Sequence, residues 1–80
     1  MDEDEELLEQ METAILNMAI EIVLEKNLPQ LQDDLKLILG KLSMLIGLID
    51  KEKEIETHVR LVGLYEQSVL LLNAVGDRLK

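Results

Sequence analysis

His58 is the one histidine in this 80-residue chain, and cysteine is absent. Proton transfer or metal ligation would be sought first at its imidazole. A helical carboxylate–histidine metal motif places Glu three residues before the histidine, and position 55 is Ile. Glu54 lies one turn back, which makes a two-ligand pair without a second half. The hydroxyl side chains are Thr13, Ser43, Thr57, Tyr65 and Ser68. A single imidazole would have to serve them all as base. Thr57, its neighbour in sequence, points about 100° away on a helix. Asp33–Asp34 and the N-terminal acids read as helix-start charge on a solvated face. Gly40, Gly47, Gly63 and Gly76 stand singly inside helical patterns, so they form no phosphate-cradling loop. The chain therefore reads as a non-enzymatic protein, with no catalytic, cofactor-binding or metal-binding residues and no cofactor.

The elements that would have to position such groups are helices. Almost half of the chain is apolar, carried by 18 Leu, 7 Ile and 5 Val, with Tyr65 as its single aromatic residue. Aliphatic residues at heptad spacing specify helices packing on helices. A single core of this size supplies about 3–5 kcal/mol unless something else helps. Without cysteine no disulfide or thiolate metal site is available, which leaves close helix packing or oligomerisation.

The clearest break is Asn27-Leu28-Pro29, where Asn suits a helix end and Pro the start of the next. The first helix is expected over about 4–26, with Leu8, Met11, Ile15, Met18 and Ile22 as its seam, widened by Leu7, Ala14, Ala19 and Val23. The second, about 29–49, carries the most regular seam: Leu31, Leu35, Ile38, Leu42, Leu45 and Ile49. A second stripe of Leu37, Met44 and Leu48 falls roughly 100° or more from it. The third, about 51–79, has the seam His58, Val62, Tyr65, Val69, Leu72, Gly76 and Leu79, with Leu61, Leu64, Leu71 and Val75 broadening one flank. Residues 50–54 contain neither Gly nor Pro, and a continuous helix through them competes with a turn. The seam of the second helix runs on into Glu52 and Glu56, and this loss of register favours the turn.

The formal charge of −9 is concentrated at one end: Asp2, Glu3, Asp4, Glu5, Glu6, Glu9 and Glu12 occupy residues 2–12 with no base among them. The first six residues form an acidic N-terminal segment. Direct nucleic-acid binding and anionic membranes are both disfavoured, because such affinities come from clustered Lys and Arg. The longest charge-free stretches, Thr13–Ile20, Leu42–Ile49 and Gln67–Gly76, fall short of the roughly 20 apolar residues of a membrane span. The acidic start does not resemble a signal peptide, and a cytoplasmic protein is expected.

The expected architecture is all-α: a single domain of three helices with coiled-coil-like packing, adjacent helices antiparallel, self-associated or partner-bound. Three short-looped helices would satisfy both stripes of the second helix if it lay between the other two. The small size and strict heptads favour closure of the second stripe by another chain. The expected function is a protein–protein interaction or assembly subunit, with Leu31, Leu35, Ile38, Leu42, Leu45, Ile49, Val62, Tyr65, Val69 and Leu72 as interface residues. The alternative is an acidic inhibitor in which residues 2–12 imitate a phosphate row and occupy a basic surface of a partner. Gly40, Ser43 and Gly47 share the side of the second helix away from its seam, where small residues permit close helix approach. Met11, Met18 and Met44 read as core filling, with an adaptable binding groove as the competing use.

Overall fold

The computed structural model describes residues 3–80, with side chains from Glu5 onward. Three helices are present: α1 Glu3–Val23, α2 Leu28–Leu48 and α3 Ile55–Leu79. Short connections make neighbouring helices antiparallel, as the core contacts show. At one end Leu8 and Ile15 of α1 meet Leu42 of α2 and Leu61 and Leu64 of α3. At the other, Ile22 meets Leu31, Leu35 and Val75. The chain thus runs up, down and up in an all-α three-helix bundle measuring 42 × 22 × 15 Å.

The α1–α2 connection is a helix-ending motif built without glycine. Glu25 N–H donates to the Ile22 carbonyl and Lys26 N–H to the Glu21 carbonyl, each at 3.0 Å. This paired pattern ends helices when the residue at its centre is left-handed. Glu25 takes that role with φ 56°, and Asn27 follows at φ 51°. α1 accordingly stops at Val23, short of the expected Lys26. A left-handed conformation costs an L-residue with a Cβ about 1–2 kcal/mol, while glycine adopts it freely. Glu25→Gly is therefore expected to raise stability by up to about 1 kcal/mol, measured as a shift in the urea unfolding midpoint. A lowered midpoint would show that the Glu25 side chain matters more than its backbone.

The α2–α3 connection is a turn organised by Asp50. Ile49 leaves α2 in an extended conformation (φ −85°, ψ 137°). Asp50 Oδ1 then accepts N–H bonds from Glu52 at 2.9 Å and Lys53 at 3.4 Å, and the Asp50 carbonyl accepts from Glu54. A short polar side chain that closes its own turn in this way substitutes for Gly or Pro. It delays α3 to Ile55, four residues after the expected start.

α1 and α2 bury the faces their seams define. Leu8, Ile15 and Ile22 are buried with Met11 and Met18 packed beside them, as are Leu31, Leu35 and Leu42 with Ile38, Leu45 and Ile49 beside them. α3 differs. Its buried row is Leu61, Leu64, Ser68 and Val75, the flank of the expected seam, while Tyr65 is exposed and Val62, Val69 and Leu72 are half-buried. The aliphatic arc of α3 is wide enough for two rows, and Ser68 hides the one that is used. Its hydroxyl donates to the Leu64 carbonyl at 2.8 Å, so burial leaves no polar atom unsatisfied. Because that carbonyl keeps its helical N–H partner, Ser68→Ala is expected to be neutral or stabilising by about 0.5 kcal/mol. A loss above about 1 kcal/mol in chemical denaturation would mean that the hydroxyl bond itself holds the core.

α3, not α2, is the helix on which both others pack: α2 and α3 share the most extensive contact, and α1 and α2 the least. The surface described next lies between α1 and α2.

Candidate interaction surface

α1 and α2 flank an open groove of about 450 Å³. Leu7, Met11 and Ala14 form its α1 wall, and Ile38, Met44 and Leu45 its α2 wall, with Gln10 and Lys41 as the polar members. Toward the 49–54 turn it adjoins a second hollow of about 250 Å³, which shares Leu7, Met11 and Leu45 and adds Leu48, Ile49 and Leu61. Beside the groove α2 presents Leu37, Met44 and Leu48 to solvent, 63%, 65% and 74% exposed. Helical spacing of 7 and 4 residues aligns them as one row. The row and the groove wall are continuous through Met44. Single exposed aliphatic residues are ordinary, whereas a contiguous apolar face marks a contact surface.

Gly40 and Gly47 lie along the same side of α2. A Cβ added at either would meet nothing within 4 Å. Each glycine weakens a helix by about 1 kcal/mol relative to alanine, and the packing within this chain gives no reason for either.

The expected interface residues divide. Leu31, Leu35 and Leu42 lie inside the bundle against the chain's own helices; Ile38, Leu45, Ile49, Val62, Val69 and Leu72 are half-buried, and Tyr65 is 37% exposed. The main seam of α2 is thus occupied within the chain, and the surface left open on that helix is the second stripe. The heptad pattern does not distinguish an intrachain from an interchain neighbour, because both present the same apolar ridge. A further exposed row, Leu16, Ile20 and Val23 of α1 with Leu24 just beyond it, is not anticipated as a face, and Val23, expected to widen the buried seam, lies on it 75% exposed. Its 4-3-1 spacing is the signal that was available.

Among the acids, Asp2 and the side chains of Glu3 and Asp4 lie outside the described residues. Glu5, Glu6 and Glu9 are exposed on the first turns of α1. Glu12 accepts a charge-assisted hydrogen bond from Arg60 of α3. That bond, opposed by partial desolvation and aided by the charges of Glu12, Glu5 and Glu9, raises the pKa of the Arg60 guanidinium above its ordinary value. One member of the acidic block is committed to holding α1 on α3. The pair is half-exposed, so its contribution is small and screened by salt. Glu12→Gln is expected to lower the urea midpoint slightly at low ionic strength, with the difference vanishing in molar salt. A salt-independent loss would show that the residue packs rather than pairs.

The chemistry-bearing residues remain dispersed. Thr57 and Glu54 line the hollow near the 49–54 turn, and His58 stands half-buried one turn into α3. Among the described residues no three His, Asp or Glu side chains are grouped as a metal ion would require, and no helix is long and apolar enough to cross a membrane. Comparison with protein-family models, curated proteins and solved structures finds no match to this chain.

Proposed function

We propose that this chain is a non-enzymatic interaction or assembly subunit that binds another protein through the α1–α2 groove and the aliphatic row beside it. The supporting observation is the continuity of Leu37, Met44 and Leu48, all more than three-fifths exposed, with an apolar groove between α1 and α2. An amphipathic helix laid along this face would cover the row with its own apolar side, as in helix-in-groove recognition. Met44, flexible and polarizable, adapts to the shape of such an occupant.

The test is a photo-crosslinking amino acid at position 44, in the cell from which the chain comes, with position 66 on exposed α3 as the control. The expected result is a discrete protein adduct from position 44 and none from position 66. Equal labelling at both positions, or none, would remove this reading. The exposed Glu5, Glu6 and Glu9 support a second reading, an acidic inhibitor that occupies a basic surface. If replacing these three with Gln abolishes partner binding while Met44→Asp does not, the second reading displaces the first.

A further inference from the structure

We propose that the outer side of α2, from Leu37 and Met44 round to Gly40 and Gly47, is covered by a second copy of the chain, with the two α2 helices antiparallel and their twofold axis at the level of position 42. The inference rests on the interaction reading above and names its partner.

In an antiparallel pair related by a twofold axis, residues equally far from the axis on opposite sides face one another. With the axis at the level of position 42, Leu37 of one copy lies opposite Gly47 of the other, and Met44 opposite Gly40. Each contact occurs twice. The large side chains thus meet gaps, and both gaps are open in the single chain, where an added Cβ meets nothing within 4 Å. At 100° per residue Leu37, Gly40, Met44 and Gly47 span one side of α2, so one helix approach brings all four into contact.

Charge selects the same arrangement. Asp33 is exposed near the start of α2 and Lys51 in the turn beyond its end, both nine positions from Leu42. Neither takes part in an ion pair among the described residues. An antiparallel pairing brings the start of each α2, with Asp33, toward the turn that follows the other α2 and carries Lys51. A parallel register would set Asp33 on Asp33, Lys51 on Lys51 and each leucine on its own copy, with the glycine gaps facing one another.

The acidic block favours the same direction. Leu8 of α1 packs beside Leu42 and Leu61, so the first turns of α1 lie at the end of the bundle where α2 finishes. Parallel pairing would bring together the acidic ends of two chains that each carry −9. Antiparallel pairing sends them to opposite ends of a body whose single-chain length is already 42 Å, which minimises their repulsion.

Sedimentation velocity across a concentration series tests the partner, and disulfide trapping tests the direction in a chain that has no cysteine of its own. Wild type is expected to reach twice the 9.1 kDa of one chain. Met44→Asp is expected to stay monomeric with unchanged helical circular dichroism, since Met44 is exposed. When Asp33→Cys and Lys51→Cys copies are mixed in equal amounts and oxidised, the mixed disulfide should form nearly to the exclusion of both like-with-like products, well beyond the half that random pairing gives. A wild type that remains at 9.1 kDa to millimolar concentration overturns the second-copy assignment, while an adduct of different mass from position 44 would leave the interaction reading intact. A dimer indifferent to Met44→Asp, or one giving mainly like-with-like disulfides, overturns the face or the direction.

Discussion

Leu42→Asp is expected to leave the chain unfolded, with loss of its helical circular dichroism at any concentration. Leu42 is fully buried where all three helices meet, against Leu8, Ile15, Leu61 and Leu64. Shortening a buried leucine to alanine costs about 2–5 kcal/mol, already comparable to the roughly 3–5 kcal/mol that a single core of this size supplies. A carboxylate at the same place adds the cost of burying a charge without a partner. Leu48→Asp, at a residue 74% exposed on the same helix, is the matched control and should keep the wild-type spectrum. The contrast separates the two aliphatic rows of α2. One holds the chain together, and the other is free to meet something else. A Leu42→Asp variant that retained full helicity would show that the core face of α2 has been misassigned.

The second large effect has opposite signs in two measurements. Replacing both Gly40 and Gly47 with alanine should stabilise the single chain by about 2 kcal/mol, because each replacement gains about 1 kcal/mol of helix propensity and each new methyl group meets open space. Urea unfolding at concentrations where the monomer dominates reads this gain directly. The same double variant should associate more weakly than wild type, and leucine at both positions should abolish association by filling the gaps that receive Leu37 and Met44. Glycines that cost stability inside a helix and yet permit assembly would produce this divergence. A double alanine variant less stable than wild type would assign the glycines a role within the fold and remove them from the interface.

The faces of α1 and α2 that form the core were legible because the residues between their aliphatic positions are mostly polar or small. Leu8, Met11, Ile15, Met18 and Ile22 stand out on α1, and Leu31 through Ile49 on α2. The α3 face was not, for a definite reason. Leu61, Leu64, Leu71 and Val75 run beside Val62, Tyr65, Val69 and Leu72, one position apart, and both rows fit a heptad. The buried row contains Ser68, which periodicity counts against it, although a bond to the Leu64 carbonyl satisfies its hydroxyl. Both helix boundaries that moved did so through local chemistry that composition conceals. A glutamate holds the left-handed position that glycine usually fills after α1, and Asp50 closes its own turn in a stretch where every residue tolerates a helix. The second stripe of α2 was visible as spacing. The groove beside it was not, since it depends on how α1 and α2 are set against each other, which hydrophobic periodicity does not encode.

If the proposed function holds, the aliphatic face of α2 is covered when the protein is at work. Methionine oxidation reads this at one atom, the Met44 sulfur, with the half-buried Met18 in the core as internal reference. Peroxide exposure across a concentration series should oxidise Met44 rapidly in dilute solution and progressively more slowly as chains associate, while the rate at Met18 stays constant. A Met44 that oxidises at the same fast rate at every concentration would contradict the self-associated form of the account, and fast oxidation that persists inside the cell would contradict the claim that any protein covers this face.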